Sequence, residues 1–196
     1  GSERLLRPVV KRINAVLNTA KVGVLVPGKG GGFVPTVLQG VTVDEKARLA
    51  GRVIPVEPEM LEAETPVLVT AEDAKERFSA LREALSLPFF ISSPVILQNE
   101  VAAILITGRM MEATPFLSRL GRTDMETVQA ISALLASVLV HQRLEAAEER
   151  THIMLDAMPL CCVFWDENGN QTDCNEEALR LFGAADKEQF LQRFYR

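Results

Sequence analysis

Two apolar runs, Phe89 to Leu97 and Val101 to Thr107, are separated only by the polar step Gln98-Asn99-Glu100. Runs of this length around so short a break predict a β-hairpin. Neither run alternates apolar with polar residues, so the hairpin is expected in the middle of its sheet. Pro94 interrupts the first run and asks for a bulge or an unpaired edge at that point.

The remaining elements arrange themselves around this hairpin. Leu6, Val9, Val10, Ile13, Val16 and Leu17 recur at helical spacing, with Pro8 at a first helical position, and predict an amphipathic helix over residues 4–19. Val22 to Val26 and Phe33 to Leu38 flank Pro27-Gly28-Lys29-Gly30-Gly31-Gly32 and predict a second hairpin. Short helices are expected over Asp44 to Ala50 and Pro58 to Glu64, a strand over Pro66 to Thr70, and a helix over Glu72 to Leu85 with Phe78, Leu81 and Leu85 on one face. From Thr123 no Gly or Pro occurs until Pro159, which predicts a helix of more than thirty residues. Its first half carries Val128, Ile131, Leu134, Leu135, Val138 and Leu139 for a sheet. Its second half thins to a heptad seam of Val140, Leu144, Ala147, Thr151, Met154 and Met158, flanked by Glu145, Glu148, Glu149 and Arg150. After Pro159 a small hairpin is expected around Asn168-Gly169, then a helix capped by Asn175 and stopped by Gly183, and a last helix opened by Asp186 and Gln189.

Composition narrows the function. The chain is 47% hydrophobic and 24% charged with a formal net charge of −5, a globular balance that argues against nucleic-acid binding. No stretch holds the roughly 18 uninterrupted apolar residues of a membrane span, and no membrane contact is expected. Cys161, Cys162 and Cys174 are three clustered thiols, which suits a reducing cytoplasm better than a disulfide framework. Gly1-Ser2 reads as a cloning remnant. Gly28 to Gly32 is not a phosphate loop, because Phe33 and Val34 begin a strand where a Walker A motif opens a helix. His141 and His152 share a helix face but stand about 16 Å apart, too far to ligate one metal, and neither is followed by the acidic residue of a phosphoacceptor histidine.

The order helix, strand, strand, small helices, strand, helix, hairpin, long helix resembles the GAF family of sensory domains over roughly residues 4–145. The resemblance is carried most by Leu87-Pro88-Phe89 through Ile106 and by the acidic helix opening Thr123-Asp124-Met125-Glu126. The tail resembles the start of a PAS domain of bacterial sensor histidine kinases, through Met154 to Leu160, Phe164-Trp165-Asp166-Glu167-Asn168-Gly169-Asn170, Asp173 to Ala178 and Leu181-Phe182-Gly183. The resemblances imply an α+β fold: a GAF-like antiparallel sheet with helices packed on one face, a long signalling helix, and a partial PAS-like hairpin with short helices. The implied boundaries are 1–3 for the N-terminal remnant, 4–122 for the GAF-like core, 123–158 for the helix and 159–196 for the PAS-like part, and the chain is expected to be a piece of a longer protein.

By the same resemblance, Phe33, Thr36, Phe78, Phe90 and Ser92 line a ligand pocket, with core packing as the competing role for each. The absence of Cys and His before residue 141 argues against bilin attachment, His-held haem and sulfoxide-reductase chemistry. The cyclic-nucleotide signature of the family is absent as well. No cofactor is evident, no catalytic residue is expected, and an unidentified small ligand is possible. The expected function is the input region of a dimeric bacterial signalling protein, a histidine kinase foremost, homodimeric through Val140 to Met158. The alternatives are a ligand-free dimerisation and spacer module, or the input region of a diguanylate cyclase or transcriptional regulator. Outside a complete PAS domain, Phe164, Trp165, Leu179, Leu181, Phe182, Phe190, Leu191 and Phe194 are expected to lack cover.

Overall fold

The 89–107 hairpin lies at the heart of a five-stranded antiparallel sheet. In this computed structural model, which describes residues 2–73 and 76–194, the elements are α1 (Ser2–Leu17), β1 (Lys21–Pro27), β2 (Phe33–Gln39), α2 (Val43–Leu49), α3 (Pro58–Glu62), β3 (Val67–Val69), α4 (Ser79–Leu85), β4 (Phe89–Leu97), β5 (Glu100–Arg109), α5 (Arg122–Asp156), β6 (Val163–Trp165), β7 (Gln171–Cys174), α6 (Glu176–Phe182) and α7 (Lys187–Phe194). The chain divides into two compact units, residues 1–140 and 141–196.

In the first unit the strand order is β2-β1-β5-β4-β3, with every pair antiparallel. β5 is central, and its unbroken apolar run is explained by cover on both faces. Ala103 and Leu105 face α1 and α5, packed with Leu6, Val10, Ile13, Leu17, Val128 and Leu135. Ile104 and Ile106 face the opposite side, packed with Leu49, Met60, Phe78, Leu81 and Phe90. The helices packed on one face are α1 and α5, and α2, α3 and α4 close the other face as well.

Several local details differ from the sequence reading. α1 begins at Ser2 and takes Pro8 into its interior, where the ring removes one i→i−4 hydrogen bond. The β4–β5 turn is a two-residue loop, Gln98-Asn99, with both residues at positive φ and Leu97 paired to Glu100; this geometry follows the right-handed twist of the strands. The ladder shift falls after Val95, while Pro94 lies past Ser92, the last β4 residue paired with β3, so its missing N–H faces no neighbouring strand on that side. The helix expected from Glu72 is formed only from Ser79, with residues 74 and 75 outside the described range. Thr70 donates its N–H and hydroxyl to Asp73, which makes a turn instead of a helix start. Phe78 then adopts a left-handed φ of 57°, an unusual state for a bulky residue, and is held there by complete burial. On α5, Val128 and Leu135 are buried, whereas Leu134 points to solvent because it lies off the sheet-facing stripe.

Two buried cations tie the layers together. Arg109 donates to the carbonyls of Leu17 (2.9 Å) and Ser118 (2.6 Å), capping the end of α1 and fixing the segment before α5. Lys21 donates to Glu45 (2.6 Å) and to the Leu85 carbonyl (2.9 Å), joining β1 to the capping box of α2 and the end of α4.

Candidate functional site

The five residues expected to line a pocket are not gathered around one opening. Phe78 and Phe90 pack edge to face with ring centroids 6.3 Å apart, and Phe33 belongs to the same cluster. The Arg77 guanidinium lies 4.6 Å above the Phe78 ring and is ion-paired with Asp73 and Glu59. Ser92, two residues after Phe90 and so on the same face of β4, is buried with its Oγ unpartnered. All four residues are buried. Thr36 stands apart, on the outer edge of β2.

Thr36 borders a groove of about 720 Å³ between α1, β2 and α2, lined also by Arg7, Pro8, Lys11, Leu38, Gly40 and Lys46. Sequence reading passed over the three cations, because α1 and α2 are brought together only by the intervening hairpin. Gly40 makes the bend from β2 toward α2: its φ is +77°, and a Cβ would stand 1.9 Å from the Ala20 carbonyl oxygen. At α2, the Lys21 hydrogen bond, with further bonds from Thr42, holds the Glu45 carboxyl below its ordinary range despite partial burial.

In the second unit β6 and β7 pair antiparallel, with Val163 opposite Cys174. The loop of the hairpin expected around Asn168-Gly169 has three residues, 167–169, where an Asn-Gly pair most often makes a two-residue turn. Asp166 and Asn170 close it, Gly169 takes φ +80°, and Trp165 pairs with Gln171, which leaves Thr172 as a bulge. The Asp166 carboxylate draws this loop, accepting from the side chain and backbone of Asn170 and from the Asn168 N–H; those bonds lower its pKa. Asn175 is the hub of the unit. Its Oδ1 accepts from Ala178 and Cys162, and its Nδ2 donates to the carbonyls of Leu155 and Leu160. Every hydrogen-bonding position of this buried amide, two donors and two acceptor sites, is thereby used.

The other chemistry-bearing groups of this unit are structural. Cys174 is buried against Ala178 and Phe190, and burial pushes its thiol pKa up, with Asp173 adding to the effect. Phe190, expected to lack cover, is 2% exposed because Phe182 packs across its ring. Phe164, Trp165, Leu181 and Phe182 do remain open to solvent, Leu179 and Leu191 are half-buried, and the side chain of Phe194 lies outside the described residues. Among the described residues no group of three or more His, Cys, Asp or Glu is placed to hold a metal. His141 faces Glu145 (3.2 Å) and His152 faces Asp173 (3.5 Å).

Asp173 carries a pH prediction. Partial burial pushes its pKa up, but the hydrogen bond from Lys187 at 2.7 Å, the Cys174 N–H and the ammonium's charge together outweigh this, and the carboxyl titrates below the ordinary aspartate value of 3.8. A depressed folded pKa gives stability that is present above the unfolded value and fades as pH falls through the folded one. Trp165, the chain's one tryptophan, lies in this unit and reports on it alone. Its fluorescence is expected to show loss of structure as pH falls below 3.8. Lys187→Met is expected to lower the neutral-pH urea midpoint of this signal and to reduce that acid-dependent loss, the part carried by Asp166 and by the Cys174 N–H remaining. A midpoint equal to wild type would show that the ion pair contributes nothing.

α5 is the one helix, among the described residues, whose length and composition would allow it to cross a membrane; its apolar residues Val128, Ile131 and Leu135 are applied to the sheet.

The model of the GAF domain family matches residues 2–139. Solved structures with the same fold include a domain assigned to a two-component sensor histidine kinase protein from Sinorhizobium meliloti 1021, 15% identical, covering 72% of this chain and 92% of that one with a TM-score of 0.53. A GAF domain assigned to a sensor histidine kinase from Pseudomonas syringae pv. tomato is 20% identical, covering 76% and 83% with a TM-score of 0.51. A methyl-accepting chemotaxis protein, residues 122 to 287, is 17% identical, covering 74% and 90% with a TM-score of 0.58. At these identities the likeness is one of fold. No curated protein matches the chain. A family match over well more than half of the chain, on a five-stranded antiparallel sheet closed by α1 and α5, establishes that this protein belongs to the GAF domain family.

Proposed function

We propose that the chain is the sensory input region of a bacterial signal-transduction protein, foremost a sensor histidine kinase. The GAF domain senses a small ligand or partner and passes its state to a PAS domain and an output domain through a dimeric α5. The region itself is non-catalytic, needs no cofactor, and works in the cytoplasm. The observation that carries this reading is α5. It is one 35-residue helix whose first half packs on the GAF sheet and whose later residues Leu144 and Met154 are exposed apolar groups at heptad spacing. A ligand that prefers one packing of α1 and α5 against the sheet biases two registers of the paired helices. The fold likeness to domains of sensor kinases and of a chemotaxis protein supports the signalling role. The PAS assignment is supported by the β6–β7 hairpin, the Asp166–Asn170 loop and the Asn175 cap.

The burial of Phe33, Phe78 and Phe90 in one cluster favours a second reading, a ligand-free dimerisation and spacer module. A thermal-shift screen of nucleotides, amino acids and small organic acids separates the two. A ligand at a hundredfold excess over its Kd stabilises by about 2.7 kcal/mol, a rise of several degrees. At least one hit is expected from a sensor, and no hit from a spacer.

The exposed face of Phe164, Trp165, Leu181 and Phe182 belongs, on this reading, to a PAS sheet that further strands would complete. A lone two-stranded hairpin is marginal in water. Amides of residues 161–175 are expected to exchange rapidly in dilute monomer and slowly only when another chain's edge covers them. Slow exchange in a demonstrated monomer would contradict the PAS assignment.

A further inference from the structure

The groove between α1, the edge of β2 and α2 has a charge at odds with the rest of the chain. The protein has 26 acidic and 21 basic residues, yet the lining contains Arg7, Lys11 and Lys46 and no carboxylate. We propose that this groove binds a small organic anion with a short apolar body.

Charge is the first argument. Lys11 and Lys46 come from different helices and form no ion pair among the described residues. The carboxylate next to Lys46 in sequence, Glu45, is engaged by Lys21 at 2.6 Å and by the Thr42 N–H at 2.8 Å. It therefore does not neutralise the groove. Cations of one sign gathered on a concave wall concentrate anions from solution.

Shape is the second. The volume of about 720 Å³ lies within the range of small-molecule sites. Pro8, Pro35 and Leu38, each at least partly exposed, give the wall an apolar component against which a short hydrocarbon chain loses water.

The edge of β2 excludes an extended peptide. β2 is an edge strand, and such edges invite strand addition. At its start Phe33 already exchanges both backbone hydrogen bonds with Ile54, each 2.8 Å. By alternation the next residue facing outward is Pro35, which has no N–H to offer. The register then shifts, with Leu25 opposite Pro35 and Val24 opposite Val37, so Thr36 is an unpaired bulge. An edge blocked in this way cannot seat a strand, but it leaves the Thr36 hydroxyl and the Gly40 bend on the rim of a compact site. Leu38 and Leu49, which also pack in the cluster of Phe33, Phe78 and Phe90, stand between the groove and that aromatic core, and the binding claim holds whether or not the domain signals.

The test is amide chemical-shift mapping on the 15N-labelled 196-residue chain with hexanoate, hexyl phosphate and hexylammonium as probes. At least one of the two anions is expected to shift amides of Thr36, Gln39 to Val41 and Lys46 to Ala50 saturably, with weaker binding at higher KCl, and hexylammonium is expected to leave them in place. The Lys11→Gln/Lys46→Gln variant is expected to keep the wild-type spectrum away from the groove and to lose roughly tenfold or more in affinity. The proposal is overturned if neither anion shifts the groove amides, if hexylammonium shifts them equally, or if the double variant binds as tightly as wild type. Shifts confined to amides around Phe78 and Phe90 also overturn it, while leaving a sensory GAF domain intact.

Discussion

Phe90→Ala is expected to lower the free energy of unfolding of the GAF domain by about 3–5 kcal/mol. Domains of this kind are stable by only about 5–15 kcal/mol. The side chain is 1% exposed and stacks edge to face on Phe78. Across the ladder stands Gly108, where even a Cβ would come within 2.6 Å of the Phe90 Cβ. Packing this close leaves no slack for collapse after truncation, so the cavity term adds to the lost burial. Urea titration followed by circular dichroism measures the effect. Thr36→Ala, on the groove rim, is expected to change stability by no more than about 0.5 kcal/mol. A loss below about 1.5 kcal/mol for Phe90→Ala would mean that the aromatic cluster surrounds open space, as a ligand pocket on that face requires.

The sequence was most informative where the period of its apolar residues had one solution. The β4–β5 hairpin could only be interior to a sheet, and the spacing of Leu6, Val10, Ile13 and Leu17 fixed the buried side of α1. The α6 cap by Asn175 and the stop at Gly183 were legible because their chemistry is local. Reading failed where tertiary packing overrode local preference. Phe78 sits in a left-handed conformation that no propensity favours, because the core needs its ring there. Pro8 is drawn into α1 because residues on both sides of it belong to one helix. The Asn168-Gly169 signal located the turn but not its length, since Asp166 gathers three donors from Asn168 and Asn170 and sets a longer loop. The cationic groove was illegible for a different reason. Lys11 and Lys46 are 35 positions apart, and only the β1–β2 hairpin and the Gly40 bend bring their helices to one rim.

Glutamate at both Leu144 and Met154 is expected to abolish dimerisation while leaving the fold of each protomer unchanged. In the single chain these side chains are 55% and 54% exposed, so neither supports the protomer's own core. Ala147 and Thr151 complete the same stripe, and the Thr151 hydroxyl is turned back to the Ala147 carbonyl at 2.8 Å, leaving its methyl for a partner. In a paired seam each leucine-sized side chain gains roughly 1.5–3 kcal/mol from burial. The double variant replaces that gain with four carboxylates facing one another, each costing several kcal/mol to desolvate without a cation. The far-UV circular dichroism of the variant is expected to match wild type, apart from any helix gained by coiling.

Sedimentation equilibrium of the wild-type chain beside the Leu144→Glu/Met154→Glu variant tests the dimeric relay most directly. The account predicts a wild-type mass near twice 21.6 kDa and a variant mass of 21.6 kDa at the same concentration. A wild-type chain that stays monomeric across the concentration range, or a variant that remains as dimeric as wild type, would contradict it.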